Sequence, residues 1–279
     1  MAWAEPTIAV PPAPLGDVEV HDIASSELGM PLRIFVGHCG EAPRTTLVLT
    51  DGNGLMGLAV DTVRLMQIPG LLPSMLVVGV GYPDAAIVND TIDLRFRHLA
   101  PTPSRHHEGS GQADAFVRFF RTELFPWLDA RFPGADDRLY FGHSLGGLFG
   151  VHVLLTEPDT FGRFIISSPS LWWDYRVVFQ HEAQRAATHD DLAARVYLGI
   201  GALETDEGRR LETAHLPPDH PNRAARTYLD MVADVARFAS DLGSRRYPSL
   251  ELTCRVFHDE FHATVQGVVL THGLRHFFR

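Results

Sequence analysis

"RLYFGHSLGGLFGVHVLL", residues 138–155, decides how this chain is read. Four residues that favour a strand run into Gly142-His143-Ser144-Leu145-Gly146, and an apolar, glycine-opened run follows. The short pattern G-x-S-x-G occurs often by chance; it carries meaning only with a strand before it and a helix after it. Both are expected here. Such a turn forces Ser144 into an unfavourable backbone region and lifts its hydroxyl above the sheet edge. Residues two before and two after then have no room for a side chain, which Gly142 and Gly146 satisfy. The helix behind the turn offers free N–H groups and the positive end of its dipole, so the Leu145 N–H is a candidate oxyanion donor. The plain alternative is a glycine-rich junction bearing a solvent-exposed serine.

Outward from this stretch, short apolar runs alternate with helical patterns. "VEVHDIASSELG" and "PLRIFVGH" read as two antiparallel strands. "TTLVLTDGNG" is a strand ending in a glycine-rich loop, with a helix expected around 59–68. "SMLVVGVGY" is another buried strand, followed by a polar loop over 83–112. In "GQADAFVRFFRTELFPWLDARF", Phe116, Phe119, Phe120, Leu124 and Leu128 recur every three or four residues, which gives a helix one apolar face. Pro126 should kink or interrupt it. "FGRFIISSPS" and "RVYLGIG" are strands, with a helix at about 174–188 between them. "RAARTYLDMVADVARFASDLG" is a long helix, "LELTCRVFH" the last strand and "TVQGVVLTHGLRHFF" the terminal helix. Strands alternating with helices imply an α/β fold: a mainly parallel sheet, an antiparallel N-terminal edge and helices on both faces. No repeat or linker divides residues 1–279, so one domain is expected, with a Pro-rich arm over 1–16.

A serine hydroxyl is a poor nucleophile without a base. In the strand–turn–helix hydrolase architecture the chain order is Ser, then acid, then His. "RVYLGIGALE" puts Glu204 in the loop after its strand, with Asp206 as second choice. "RVFHDEFHATV" puts His258 and His262 after the final strand. His262, in the loop, is the candidate base, because His258 at the strand end can be taken up by packing. His143 is expected to turn its ring away from Ser144, and Asp259 is too close in sequence to orient His262. A second oxyanion donor should come from the loop after an early strand. "LVLTDGNG" supplies the Asn53 N–H, with Gly52 and Gly54 letting backbone approach the substrate oxygen.

Composition narrows the function classes. The 279 residues include 24 basic and 34 acidic ones, a formal charge of −10 that leaves no basic run to track a phosphate backbone. Cys39 and Cys254 lie far apart and make no disulfide framework or zinc ribbon. The start, "MAWAEPTIAVPPAPLGD", has no basic segment and its apolar run is broken by prolines, so it does not read as a signal peptide. No apolar run reaches the roughly 18 residues of a membrane span. A cytoplasmic protein with a small-molecule partner is expected; the sequence leaves its oligomeric state open.

"LVLTDGNG", "GYP", "RFRHLAPT", "FGHSLGGLFGVHVLLTEPDTFGRFIISSPSLWW", "LGIGALE" and "FHDEFHATVQGVVLTHGLRHFF" together resemble the Putative esterase family of α/β-hydrolases. Within that family they look most like the siderophore (trilactone) esterases of the enterobactin and bacillibactin type. The resemblance covers about residues 45–279. It implies a serine ester hydrolase that needs no cofactor, with Ser144 and His262 matching nucleophile and base and Glu204 matching an acid carried by many members. It also implies an Arg-rich segment, read here as Arg95 and Arg97 around Phe96, where members often have an acidic residue in place of His98.

Other constellations are weaker. His258 and His262 stand four apart, but the zinc-protease pattern needs Glu after the first His, and Asp259 stands there. No metal is expected. Trp172 and Trp173 follow a strand end near the expected mouth, where one could line the site and the other be buried. Residues 203–226 are polar and could form a flap. An acyltransferase built on the same Ser–His–acid machinery and a non-catalytic binding module are the competing readings.

Overall fold

The computed structural model describes residues 18–85, 91–220 and 230–279. The Pro-rich arm, the tip of the 83–112 loop and the start of the expected long helix lie outside the described residues, as does the end of the candidate flap.

Eight strands form one sheet: β1 (Val18–Ser25), β2 (Met30–Cys39), β3 (Thr45–Leu49), β4 (Met75–Gly81), β5 (Asp137–His143), β6 (Arg163–Ser167), β7 (Ala194–Gly201) and β8 (Leu250–Phe257). Their order is β1-β2-β4-β3-β5-β6-β7-β8. β1–β2 and β2–β4 are antiparallel, and every pair from β4 to β8 is parallel. β3 and β4 are buried along their whole length, as strands covered on both faces must be. This is the expected α/β arrangement, antiparallel N-terminal edge included.

Helix α1 (Gly52–Gln67) lies over one face, and the C-terminal helix joins it there around Leu47, Val63, Phe141 and Val269. On the other face lie α2 (Ile92–Leu99), α3 (Ala113–Phe119), α4 (Phe125–Arg131), α5 (Leu145–Thr156), the short α6 (Trp173–Arg176), α7 (Val178–Thr188) and, after α8 (Asp206–Glu212) in chain order, α9 (Met231–Arg245). The C-terminal helix is α10 (Val265–Phe277). Phe116, Phe120 and Phe149 pack as one aromatic group in the core of that second face. All five apolar positions expected to face inward from α3 and α4 are buried. The helix is interrupted at Phe120–Leu124 by a π turn, immediately before Pro126 in the first turn of α4. A proline has no N–H to give the preceding turn, which explains the break.

Two local expectations need revision. Asp51-Gly52-Asn53-Gly54 is not a loop: α1 starts at Gly52, seven residues earlier than expected. Glycines weaken a helix start, but here Asp51 caps it from a left-handed conformation, φ 60° and ψ 35°, fixed by a buried ion pair. The polar 83–112 stretch holds α2, a helix of 8 residues too short to show a convincing period.

Candidate active site

The parallel strands all point their C-terminal ends to one edge, where ligands of open α/β sheets bind. β5 and α5 meet there at Ser144, with φ 60° and ψ −116°. For a residue with a side chain this conformation costs on the order of 1–3 kcal/mol and persists only where neighbours enforce it. The enforcing contacts are visible. A Cβ on Gly142 would collide with the Gly146 carbonyl oxygen, and one on Gly146 would collide with Thr50 Oγ1. The Tyr140 hydroxyl donates to that same Gly146 carbonyl at 2.6 Å. The Ser144 N–H donates to the Ser167 carbonyl at 3.0 Å, and its own carbonyl accepts from the Ser170 N–H at 3.0 Å. Ser144 Oγ lies 3.3 Å from Ser170 Oγ.

Glu204 sits in the loop after β7 with a buried carboxylate, and His262 precedes α10 with its side chain one-third exposed. His262 Nδ1 donates to Glu204 Oε2 at 2.6 Å. The other carboxylate oxygen accepts from the Ser168 hydroxyl at 2.5 Å and from the Gly201 N–H at 2.8 Å. His258 is exposed at the end of β8, and Asp206 opens α8. Of the alternatives weighed from sequence, the geometry thus pairs Glu204 with His262.

His143 is a packing residue next to the nucleophile: its ring lies 4.5 Å from the His262 ring, centroid to centroid, with Nδ1 3.0 Å from Ser167 Oγ. Burial, reinforced by the nearby His262 and Arg95, holds its pKa well below the usual histidine value, so it is a neutral ring. This contact carries His262 to the Ser144 turn.

The remaining residues divide. Leu145 and Asn53 are the first residue of α5 and the second of α1, and the first N–H groups of a helix have no acceptor within it. The two helix starts adjoin, because Gly146 rests against Thr50 and Asp51. The Asn53 side chain is tied down: its amide donates to the carbonyls of Tyr82 and Ala85, and its oxygen accepts from the Tyr82 N–H. Gly52 meets a packing demand, since a Cβ there would lie 2.9 Å from the Gly79 backbone. Arg95 is buried in a two-pronged pair with Asp51, 2.6 and 3.1 Å, while Arg97 is exposed beside Gly109. Trp173 is buried, its ring N–H donating to the Thr102 carbonyl, and Trp172 is half-buried. Sequence reasoning missed Asp51, Ser167 and Ser168. The available signal was polar side chains at the ends of buried strands, on the edge where the Ser144 turn opens.

A parallel-sheet edge bearing a strained serine, two helix starts and a buried carboxylate on a histidine ring defines a protein of the α/β-hydrolase class. The Putative esterase family model matches residues 41–239, and the chain belongs to that family. It is a carboxylic ester hydrolase. It is 29% identical over 251 residues to the siderophore triacetylfusarinine C esterase of Aspergillus fumigatus, covering 86% of this chain and 83% of the relative. The siderophore enterobactin esterase of Emericella nidulans is 28% identical, over 81% of this chain and 79% of that one. The BES protein of Bacillus cereus superposes with a TM-score of 0.75 at 22% identity, covering 99% and 98% of the two chains.

Among the described residues no group of histidine, cysteine, aspartate or glutamate side chains could hold a metal ion. Nor is any helix there long and apolar enough to cross a membrane.

Proposed function

We propose that this chain is a single-domain siderophore esterase in which Ser144, His262 and Glu204 form the catalytic triad, working in the cytoplasm. The observation that carries the reading is the 2.6 Å bond from His262 Nδ1 to the buried Glu204 carboxylate, with the His262 ring packed on His143, the residue before a serine held at φ 60°. With Nδ1 committed to Glu204, Nε2 of the neutral ring is the acceptor for a serine proton. Ser144 Oγ attacks the ester carbonyl carbon as its proton passes to Nε2. Charge gathers on the carbonyl oxygen and meets the N–H groups of Leu145 and Asn53. The imidazolium, favoured by the buried carboxylate, then protonates the leaving alcohol as the carbon–oxygen bond breaks. Water repeats the sequence on the acyl-enzyme and frees the acid. The partly exposed His262 ring admits that water, which favours hydrolysis over transfer to another alcohol.

The substrate class follows from the kinship of the chain to the triacetylfusarinine C and enterobactin esterases. Arg97 and Trp172, at or near the surface, are the residues assigned to substrate. Arg95, buried on Asp51, and Trp173, buried on Thr102, act behind them. The test is a panel of triacetylfusarinine C, enterobactin and 4-nitrophenyl acetate with the purified protein. Faster turnover of a siderophore than of the aryl ester, abolished by Ser144→Ala, is expected. Turnover of the aryl ester alone would overturn the siderophore reading.

A further inference from the structure

β6 ends at Ser167, Ser168 follows it, and both serines reach His262 through one intermediary. Ser168 Oγ donates to Glu204 Oε1 at 2.5 Å, and Glu204 holds His262 Nδ1. Ser167 Oγ meets His143 Nδ1 at 3.0 Å, and the His143 ring packs against His262. Successive side chains of a strand point to opposite faces, so a regular β6 could not send both toward one histidine. Ser168 escapes that alternation: its φ is 43°, in the left-handed region, although it is not a glycine. It is fully buried there, its N–H donating to the Gly199 carbonyl at 2.8 Å. The same segment grips the nucleophile's backbone, through the Ser167 carbonyl and the Ser170 N–H.

We propose that Ser168 is a positioning residue for catalysis: its hydroxyl fixes the Glu204 carboxylate, and the left-handed kink lets Ser167 and Ser168 brace His262 from two sides. The proposal rests on the triad reading above. Glu204 needs such help because its carboxylate is out of water. Two donors on Oε1 leave Oε2 facing the imidazole as its single partner. Without the hydroxyl only the Gly201 N–H holds Oε1, the carboxylate is less tightly fixed, and the ring loses part of the orientation that aims Nε2 at Ser144. Affinity for the ester should be untouched.

Ser168→Gly is the informative variant, because glycine accepts a positive φ and removes only the hydroxymethyl group. It is made in the wild-type and Glu204→Gln backgrounds and assayed on 4-nitrophenyl acetate. In the wild-type background kcat should fall about tenfold or more, the scale of a hydrogen bond to a charged group, with KM changed less than about twofold. In the Glu204→Gln background the same change should alter kcat less than about twofold, because an amide does not orient the imidazole for catalysis whether or not the hydroxyl holds it. Should the glycine variant fail to fold, Ser168→Ala gives the same comparison. Wild-type kcat in the single variant, or an equal loss in both backgrounds, would overturn the proposal. A Ser144→Ala enzyme that kept its activity would instead sink the triad reading, so the two failures are told apart.

Discussion

Two of the carboxylate–histidine pairs in this molecule are built inside out from one another. In one, Glu204 is buried and His262 is one-third exposed, joined at 2.6 Å through Nδ1. In the other, His152 on α5 is buried and Asp114 on α3 is three-quarters exposed, joined at 2.8 Å through Nε2. The bond lengths are alike; the burial decides what each can do. A buried carboxylate acts on the ring it touches without screening by solvent, and the partly exposed ring has an open nitrogen to offer a substrate. A solvated carboxylate is screened, and the buried His152 ring has no route to a substrate: its Nδ1 has no partner and no access to water. In the proposed triad the first pair is chemical machinery; the second is a clasp between two helices.

The largest effect that could break this contrast is on turnover. Glu204→Gln should lower kcat by about 10³–10⁴ with KM little changed, because the amide no longer selects the working tautomer. Steady-state kinetics on 4-nitrophenyl acetate check this, and a loss under tenfold would make the two pairs equivalent.

A third histidine sharpens the comparison, since it is buried with no carboxylate. His98 lies on α2 with Nδ1 3.0 Å from the Tyr82 hydroxyl and Nε2 unpartnered. Burial, aided by the charge of Arg97, lowers its pKa to about 4. The folded protein therefore keeps His98 neutral down to about pH 4, whereas the unfolded chain takes up that proton near 6.5. Its contribution is complete above pH 6.5 and is lost as the pH falls toward 4, up to about 3 kcal/mol. Urea unfolding from pH 7 to pH 4 should show this slope, and His98→Phe should flatten it.

A smaller effect concerns the strain beside the working pair. Ser144→Gly should be inactive yet more stable by about 1 kcal/mol, since glycine adopts φ 60° without penalty. Thermal unfolding checks it, and a less stable variant would mean the turn is not strained. The smallest effect belongs to the other pair. Asp114→Asn should leave kcat within about twofold and cost less than about 1 kcal/mol, as for an exposed ion pair.

Much of this was legible in the chain. The mainly parallel sheet follows from the alternation of buried runs and amphipathic helices, and the Ser144 turn follows from Gly142 and Gly146, where a side chain would collide with backbone and Thr50. Chain order put Glu204 and His262 in the loops after β7 and β8, where their side chains meet. What stayed hidden was anything set by contacts between distant residues. No local signal distinguishes Arg95 as a surface cation from Arg95 buried on Asp51, 44 residues away. The direction of the His143 ring and the left-handed kink at Ser168 likewise depend on packing that only the assembled sheet supplies. The helix over 92–99 hid because eight residues barely contain two turns.

The most direct test of the central claim is covalent labelling with a fluorophosphonate, followed by intact mass and peptide mapping. The account predicts one adduct, on Ser144, formed at the wild-type rate in Asp114→Asn and at least about a hundredfold more slowly in Glu204→Gln. An adduct on another residue, or equal slowing in the two variants, would contradict it.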